Sequence, residues 1–437
     1  MSNVKVSVII PSFNTEKYIS QCLDSVVNQT LKDIEIICVD NSSTDNTLAI
    51  LNEYAEKDER IKVISKKNEG PAVSRNVGID TACGEYICFL DSDDFVDLEM
   101  YEKMYNTAKS KDLDLGMCKI ATFEDGTDNY NYDVWYFALN DFNDFEKDVF
   151  TPYDTKEFLG EFSVTVHNKI YRKSILEKNH IRFPTNILFE DEVFFYDSYI
   201  HSNRIHVIPH TLYYYRMNRP DSLVGLTSDK DYSDVVEVFK MIRNIFIETN
   251  DYEDFKIRLS NNFIPMGLWR YGQCAKKYHE YFFNVLKQDC LNLIEDEEIL
   301  KNFPDYLARR VDNLINSSDW LEFDEKENFK DLSIILTCYN NADMIENSIL
   351  SVINQNLDFK EHVQLVIVDD GSEDETKAIC EKYLKAYPDN VVYIYQQHQG
   401  KSKAIHCGMK HTKGIHFVIL NGNEEFEEDT FSKMFNF

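Results

Sequence analysis

Two aspartates separated by one residue stand where an apolar run ends, in the segment Phe89-Leu90-Asp91-Ser92-Asp93-Asp94. Carboxylates at the end of a buried strand are costly unless water, a cation or a hydrogen-bond donor stabilises them. A hard divalent ion such as Mg²⁺ or Mn²⁺ takes one or two carboxylates and leaves its other positions to water and phosphate oxygens. The segment therefore predicts a metal site for a phosphate-bearing substrate, with a turn or a helix cap as the structural alternative.

A second acidic position, Asp40, follows the strand-like residues 34–39. A carboxylate at the end of a strand can accept hydrogen bonds from a nucleotide base or a ribose. The residues behind it, Ser43, Thr44 and Asp45, are types that begin helices, and a purely capping role for these three is the alternative.

A Gly70-Pro71 turn precedes the helical segment that carries Arg75. The free amides of a helix N-terminus attract anions. Arg75 stands one turn further along and adds a permanent positive charge. The sequence leaves two roles open for Arg75, which are contact with an anionic ligand and pairing with an aspartate of the same cluster.

Three consecutive acids, Glu190, Asp191 and Glu192, are flanked on both sides by apolar residues. Burial raises the pKa of a carboxyl group, and a raised pKa suits a general base. A solvated helix face is the structural alternative. The sequence does not show which of the three side chains faces a site.

Alternating apolar runs and helical periodicities position these residues. Strands are predicted at 6–11, 34–39, 61–65 and 85–90, and helices at 16–29, 44–58 and 72–81. This βαβαβαβ order predicts an open, mostly parallel α/β sheet with helices on both faces. Ligands of such sheets bind beyond the carboxyl ends of the strands, which is where the acidic motifs fall.

The segment that begins at Val6 recurs at Leu332, 326 positions later. A repeat of this length predicts two similar domains in tandem rather than a solenoid. The residues between about 226 and 331 carry apolar stripes at helical spacing and predict a helical connector.

The 437 residues include 76 acidic and 46 basic side chains, for a net charge of −30, which argues against nucleic acid as a partner. The ten cysteines stand singly, several in apolar runs, as reduced cytoplasmic thiols do. The first residues do not resemble a signal peptide, and no apolar run approaches the length of a membrane span. We expect a cytoplasmic protein without a transmembrane segment.

The ordered motifs VSVIIPSFN, IICVDNSSTD, NEGPAVSRNVGI, FLDSDD and LFEDEVFF resemble those of family 2 glycosyltransferases of the GT-A fold, over residues 4–225. Residues 332–437 resemble the family in part, through LSIILTCYN and VIVDDGSEDET. The resemblance implies a GT-A domain at 1–225, with a nucleotide-sugar half (1–110) and an acceptor or catalytic half (111–225). A helical connector (226–331) and a second, incomplete GT-A-like module (332–437) follow.

The resemblance also implies an activity. It is the inverting transfer of a hexosyl or N-acetylhexosaminyl group from a nucleoside diphosphate sugar, commonly a UDP-sugar, with Mn²⁺ or Mg²⁺. The acceptor would be a hydroxyl of a glycan, a lipid-linked sugar or a cell-surface polymer, which leaves open peripheral association with the inner face of a membrane. A non-catalytic glycan- or nucleotide-binding scaffold is the alternative, and the intact Asp91, Asp93 and Asp191 argue against it. A nucleotidyltransferase would need a basic, Gly-rich loop after the first strand, and residues 11–14 are not such a loop.

The resemblance assigns each site residue a role. On the nucleotide side, Pro11 and Phe13 line the base pocket, and Asp40 binds the base with Asn68 and Arg75 nearby. Asp91 and Ser92 contact ribose or sugar, Asp93 binds the metal, and Asp191 is the catalytic base. Residues 213–216, followed by Ser222, resemble a closing segment near the diphosphate and acceptor. Phe13 replaces a common Tyr, and Asn41 replaces a common Asp.

The second module keeps Asp369 and Asp370, but the position of the Asp91 motif reads Asn421-Gly422-Asn423-Glu424. Neutral amides are poorer ligands for a hard cation than carboxylates are. Ile405 stands where Arg75 stands in the first module, and the sequence stops before any counterpart of Asp191. We expect that the second module transfers nothing and that the chain is part of a longer two-module enzyme, with a binding or packing role for the module as the alternative.

Overall fold

The computed structural model describes residues 4–127, 129–132, 147–160, 162–217, 231–327, 330–427 and 429–435. The chain divides into two compact units. The first comprises Met1–Leu226 with Glu237–Arg258, and the second comprises Thr227–Val236 with Leu259–Phe437. The predicted Ser222 lies outside the described residues.

The described part of the first unit forms a nine-stranded sheet with helices packed on it. Its strands are β1 (Val6–Ser12), β2 (Ile34–Asp40), β3 (Ile61–Ser65), β4 (Tyr86–Phe89), β5 (Phe95–Val96), β6 (Leu115–Glu124), β7 (Tyr130–Asn131), β8 (Lys169–Arg172) and β9 (Ile205–Met217). Its helices are α1 (Ile19–Val27), α2 (Thr47–Lys57), α3 (Pro71–Thr81), α4 (Met100–Ser110), α5 (Lys173–Lys178) and α6 (Glu190–Ile200), with a short 3₁₀ helix at Lys156–Phe158.

The first four strands confirm the predicted βαβαβαβ order. They are parallel and lie in the spatial order β3-β2-β1-β4. All seven residues of β2 are buried, Glu35 and Asp40 included, as in a strand covered on both faces. Ser12 pairs with Asp40, and Ile9 pairs with Phe89, so the carboxyl ends of β1, β2 and β4 meet at one edge of the sheet.

Beyond β4 the sheet becomes mixed and continues in the order β8-β6-β9-β5. The long strand β9 runs parallel to β6 and antiparallel to the two-residue strand β5, where Phe95 pairs with Tyr214. Because β5 directly follows Asp94, this pairing brings residues 213–216 back to the acidic turn after β4.

The boundary between the units falls within α7 (Asp234–Glu248) and again within α8 (Tyr252–Gln273). The second unit continues with helices: α9 (His279–Ile294), α10 (Glu297–Lys301), α11 (Asp305–Asn316) and α12 (Trp320–Glu327), with a 3₁₀ helix at Lys276–Tyr278. The described residues 231–327 are mostly helical, with short turns between the helices, and β10 begins at Lys330.

The second unit then repeats the first half of the first unit. Its parallel sheet has the order β12-β11-β10-β13 and comprises β10 (Lys330–Cys338), β11 (Val363–Asp369), β12 (Val391–Tyr395) and β13 (Gly414–Asn421). Its helices are α13 (Ile345–Ile353), α14 (Phe359–His362), α15 (Thr376–Ala386), α16 (Lys401–Met409) and α17 (Thr430–Phe435).

The repeat extends to the backbone of the loops. Asn14, after β1, and Asn340, after β10, have left-handed φ values of 50° and 51°. Gly70 and Gly400 precede α3 and α16 with φ values of 88° and 93°, a region that glycine adopts without steric cost.

All ten cysteines are described and are free thiols, and eight of them are buried. Across the described residues, no helix combines the length and the apolar character that crossing a bilayer requires.

Candidate active site

The Asp91 carboxylate lies at the end of β4 and is held by two basic side chains. Nη2 of Arg75 donates a hydrogen bond to Oδ1 of Asp91 at 2.9 Å. Nδ1 of His167 lies 3.5 Å from Oδ2. Burial alone would raise the pKa of Asp91, but the charge of Arg75 and the hydrogen bond from His167 outweigh it and hold the pKa well below its usual range. Asp91 is therefore an ionised acceptor at neutral pH.

Arg75 joins the end of β4 to the first turn of α6. While its Nη2 bonds to Asp91, its Nη1 donates to Oε1 of Glu190 at 3.0 Å. Its guanidinium carbon lies 5.4 Å from the centroid of the Phe183 ring, and the side chain is buried. Burial would lower the pKa of Arg75, but the two carboxylates raise it, so the charge is permanent. Of the two roles that the sequence leaves open, the structure shows the pairing, and contact with a ligand stays a prediction.

Asp191 lies in the first turn of α6, next to the Arg75–Glu190 ion pair. The residue before this turn, Phe189, has φ 64° and ψ 32°, a left-handed conformation that bulky residues rarely adopt. Burial and the negative charge of Glu190 raise the pKa of Asp191 to about 6, although Arg75 opposes the shift. A carboxylate with a pKa near neutrality can accept a proton from a hydroxyl group and release it again.

Strand β9 fixes the turn that carries Asp93 and Asp94. The hydroxyl of Tyr213 donates to Oδ2 of Asp94 at 2.6 Å, and the amide of Arg216 donates to Oδ1 at 2.7 Å. Nε of Arg216 donates to the carbonyl oxygen of Asp93, also at 2.7 Å. Burial, with the charges of Asp93 and Asp91, raises the pKa of Asp94 well above its ordinary value. Through the hydrogen bonds that it accepts from Tyr213 and Arg216, Asp94 holds the turn against β9.

The Arg216 guanidinium makes two further hydrogen bonds, to Oδ1 of Asp125 at 2.8 Å and to Oε1 of Gln21 at 2.7 Å. The resemblance places residues 213–216 near the diphosphate and the acceptor. In the structure, the side chain of Arg216 supports the Asp93 turn, and its contact with a ligand stays a prediction.

Asp93 is the third carboxylate of the turn. Those of Asp91 and Asp94 are engaged as described, and the Asp93 side chain is half-buried. Within the described ranges, no three His, Cys, Asp or Glu side chains are grouped so that they could hold a metal by themselves. A single carboxylate suits Mg²⁺ or Mn²⁺ that is shared with water and substrate phosphates. The donor chemistry of the turn fits such an ion, and the role of Asp93 as its ligand stays a prediction.

Asp40 ends β2 and is completely buried. Its Oδ1 accepts a hydrogen bond from the amide of Ser43 at 3.3 Å, and its Oδ2 accepts one from the hydroxyl of Ser65 at 3.2 Å. This carboxylate holds the loop after β2, and its contact with a base stays a prediction.

Asn41 connects the loop after β2 with the loop before α3. Its Nδ2 donates to Oδ1 of Asn68 at 2.9 Å, and its Oδ1 accepts from the amide of Glu69 at 3.1 Å and from Nζ of Lys66 at 3.2 Å. An ionised aspartate could accept but not donate here. The departure at this position therefore lets one side chain fix the place of Asn68.

Phe13 follows β1, and 45% of its surface is exposed. The amide of Asn14 donates to Oγ of Ser43 at 3.1 Å, and Oδ1 of Asn14 accepts from the amide of Thr44 at 2.8 Å. These bonds tie the loops after β1 and β2 together. They leave an exposed aromatic face beside Pro11, which a planar base can cover.

Two residues of this region, His167 and Lys169, do not emerge from the sequence analysis. Lys169 is fully buried, and its Nζ donates to the carbonyl oxygens of Ser163, at 2.8 Å, and Thr165, and to Oδ1 of Asn168 at 2.8 Å. Three acceptors match the three N–H bonds of an ammonium group. Burial lowers the pKa of Lys169 to about 7. Lys169 therefore shapes the loop that places His167 against Asp91. The sequence shows only that residues 167–169 are polar, and it does not show that Lys169 is buried at the start of β8.

The second unit has the same loops around different side chains. The amides of Gln399 and Gly400 donate to Asp370, at 3.0 and 2.8 Å. The His398 ring stacks on Tyr339 with centroids 4.1 Å apart. Tyr339 follows β10 as Phe13 follows β1, and 45% of its surface is exposed, as that of Phe13 is, although His398 stacks on it.

The acidic turn of the first unit has a less acidic counterpart after β13, residues 421–424, in which Glu424 is the one carboxylate. The amide of Glu424 donates to the carbonyl oxygen of Asn421 at 3.0 Å, and the amide of Asp94 donates to that of Asp91 at 3.1 Å, so the turns are alike. The Glu424 carboxylate accepts from the amide of Asn421 at 3.0 Å. Ile405, in the place of Arg75, is buried.

The architecture is that of a known structural class. Residues 1–349 of S. aureus TarS, solved in complex with UDP-GlcNAc, match with a TM-score of 0.62 and 22% identity, covering 74% of this chain and 90% of that one. The predicted α/β fold of the GT-A type, with a second sheet module near the carboxyl end, is confirmed.

The family follows from sequence comparison. The model of glycosyl transferase family 2 matches residues 7–179 and again residues 333–437. The chain belongs to this family, and the predicted tandem repeat is confirmed.

Curated relatives agree with the family. The poly(ribitol-phosphate) beta-glucosyltransferase of Bacillus spizizenii is 38% identical over 221 residues, which are 49% of this chain and 33% of that protein. The putative glycosyltransferase EpsH of Bacillus subtilis is 32% identical over 263 residues, which are 59% of this chain and 74% of that protein.

Proposed function

We propose that the first unit is a metal-dependent, inverting glycosyltransferase that moves a hexosyl or N-acetylhexosaminyl group from a UDP-sugar to a hydroxyl of a growing glycan. The observation that carries this proposal is the bridge from Asp91 through Arg75 to Glu190. It joins the turn after β4 to the helix that bears Asp191. The bridge thereby fixes the position of Asp91, on the donor side, relative to the helix of the proposed base Asp191.

The donor side consists of the loops at the carboxyl ends of β1, β2 and β4. Phe13 offers a face on which uracil can stack, beside Pro11. Asp40 and Asn68 are positioned for the polar edge of the base, Asp40 through the loop that it holds. Asp91, which is ionised, accepts hydrogen bonds from sugar or ribose hydroxyls, with Ser92 beside it. The TarS complex with UDP-GlcNAc supports this choice of donor.

Asp191 is the proposed general base. Its pKa of about 6 leaves it mostly ionised at neutral pH and able to take the proton of the acceptor hydroxyl. The acceptor oxygen then attacks the anomeric carbon as the bond to the diphosphate breaks, which inverts that centre. Proton removal by a positioned base contributes about 10²–10⁴ in rate.

Asp93 would hold Mn²⁺ or Mg²⁺. When it is bound, such an ion neutralises charge on the leaving diphosphate. Arg75 cannot replace that charge, because Asp91 and Glu190 already engage it. A chain with a net charge of −30 repels a bare diphosphate, which supports the need for a cation.

We place the reaction in the cytoplasm, at the inner face of the membrane when the acceptor is lipid-linked. The eight buried free thiols support a reducing compartment. The match to a poly(ribitol-phosphate) beta-glucosyltransferase supports a polymer or glycan acceptor.

A screen of nucleotide sugars tests the proposal. The full chain is incubated with UDP-, GDP- and dTDP-sugars, with Mn²⁺ or EDTA, and released nucleotide and thermal stabilisation are measured. We expect stabilisation and release with a UDP-sugar and Mn²⁺. The anomeric configuration of any product is read by NMR, and retention would refute the inverting mechanism. If no donor gives either stabilisation or nucleotide release, the transferase assignment is refuted.

A further inference from the structure

A groove of about 580 Å³ lies in the first unit, between α1, β5 and the strands β7 and β9. We propose that this groove, which we call the aromatic groove, binds an uncharged oligosaccharide chain, namely the acceptor glycan of the proposed transferase. The inference rests on the proposed function and adds the chemical class of its acceptor. The volume of the aromatic groove lies within the range of about 300–1,000 Å³ that is typical of ligand pockets.

One wall of the aromatic groove is a connected set of rings. Phe95 and Tyr214 stack with centroids 4.8 Å apart and planes 13° from parallel. Tyr130 meets Tyr214 edge-on at 5.5 Å, and Tyr132 lies 6.3 Å from Tyr130. Tyr130 and Tyr132 are 39% and 60% exposed, so these rings do not close a core. Exposed ring faces of this kind match the C–H faces of pyranose rings.

The helix α1 and its C-cap give the aromatic groove a polar side. Gln21, Asp24 and Asn28 follow one another at helical spacing and line it, and Asp97 joins them from the segment after β5. Carboxylate and amide groups exchange hydrogen bonds with sugar hydroxyls. A sugar ring presents C–H faces and hydroxyl groups. The aromatic wall complements the C–H faces, and the row of polar side chains complements the hydroxyl groups.

Charge decides which sugars fit. The described residues that line the aromatic groove include two carboxylates, Asp24 and Asp97, and no Lys, Arg or His. A phosphate- or carboxylate-bearing polymer would meet like charge there, within a chain that is already strongly acidic. An uncharged chain avoids this cost and keeps the aromatic contacts.

The aromatic groove adjoins the catalytic turn. Phe95 directly follows Asp94 in the chain. Gln21 accepts a hydrogen bond from Arg216, and Arg216 donates to the carbonyl oxygen of Asp93. A glycan in the aromatic groove therefore contacts Gln21 and Phe95, which are connected to the turn of the proposed metal ligand Asp93.

Calorimetric titration of the full chain with three tetrasaccharide probes tests the inference. The probes are uncharged tetraacetylchitotetraose, its cationic deacetylated form and an anionic hyaluronan tetrasaccharide. The uncharged probe should bind more tightly than the anionic one, and Tyr132→Ala should weaken its binding at least tenfold. The cationic probe, which Asp24 and Asp97 attract, should also lose affinity in Tyr132→Ala. Tyr281→Ala is the matched control, because Tyr281 is a tyrosine of the second unit with 61% exposure. It should bind like the wild type.

Three results would overturn the inference: undiminished binding by Tyr132→Ala, tighter binding of the anionic probe than of the uncharged one, or no binding of the uncharged probe. A parallel titration of the wild type with UDP and Mn²⁺ separates this failure from failure of the proposed function. If UDP binds and the uncharged probe does not, only the groove assignment is wrong.

Discussion

Arg75 and Glu190 are 115 residues apart in sequence, yet Nη1 of Arg75 lies 3.0 Å from Oε1 of Glu190. The same guanidinium bonds to Asp91 with its other nitrogen. One cation thus sets the separation between the donor-side turn and the helix of the proposed base.

Replacing Arg75 by Met should cost both folding stability and transfer. The change leaves Asp91 and Glu190 buried without their shared cation, and breaking a buried pair in this way costs about 3–5 kcal/mol. Chemical denaturation measures this loss. Arg182→Met is the matched control, because its pair with Asp80 is on the surface and should be worth about 1 kcal/mol or less. Equal losses in the two variants would contradict the bridge.

Asp191→Asn should abolish transfer and leave UDP affinity nearly unchanged, because the proposed base acts on the acceptor. Losing a general base costs about 10²-fold or more in turnover. Single-turnover kinetics and UDP titration separate the two effects. More than about a tenth of wild-type turnover in this variant would reassign the base, with Glu190 and Glu192 next in line.

The pKa of Asp191 gives a pH signature in both activity and stability. Turnover of the wild type should rise as pH increases through about 6, where Asp191 loses its proton. Because this pKa is raised from 3.8, the folded state holds the proton more tightly than the unfolded state. Its stabilising contribution is complete below 3.8 and is lost as pH rises through about 6.

The same linkage predicts that Asp191→Asn is more stable than the wild type at pH 8, with a free energy of unfolding higher by roughly 1–3 kcal/mol. Its melting temperature should be higher accordingly. The difference should shrink towards pH 4.5. Thermal denaturation at both pH values measures it, and a pH-independent difference would show that the raised pKa is not its source.

UDP binding should require a divalent ion and Asp93. Titration with UDP in Mn²⁺ and in EDTA, for the wild type and Asp93→Ala, measures both dependences. Asp33→Ala, which removes an exposed ion pair with Lys5, should behave as the wild type does. Equal UDP affinity in EDTA, or an unaffected Asp93→Ala variant, would refute the metal site.

The second unit should contribute no transfer chemistry. His398→Ala in the full chain should leave the transfer rate unchanged, whereas the first-unit counterpart Asn68→Ala should raise the KM for the donor several-fold. The reason is that the second unit has Asn421 and Ile405 where the first has Asp91 and Arg75. A loss with His398→Ala as large as that with Asn68→Ala would show that the second unit takes part.

The sequence predicts the parallel half of the first unit because its signals are local. Continuous apolar runs mark buried strands, and Asp40 and Asp91 stand at their ends, so topology alone places them at one edge. The tandem repeat is equally visible, since both copies preserve the strand and loop order.

The electrostatic frame of the site could not be predicted in the same way. Whether Arg75 pairs with Glu190 depends on packing between a helix of the first half and a helix of the second. Lys169 escapes detection because a buried lysine has no sequence pattern of its own; only its three acceptors show why it is tolerated. Asn41 was a departure without an explanation until its donor and acceptor bonds located Asn68.

The left-handed residues Asn14 and Asn340 have an engineering consequence. Their φ values of 50° and 51° show that this loop residue has the same backbone conformation in both units, although Asn421 and Ile405 stand where the first unit has Asp91 and Arg75. A backbone conformation of this kind is hard to install by mutation, whereas a side chain is easily exchanged. Rebuilding a donor-binding site in the second unit therefore starts from the side chains of Ile405, Asn421 and Asn423, because the Asn340 backbone already has the conformation of Asn14.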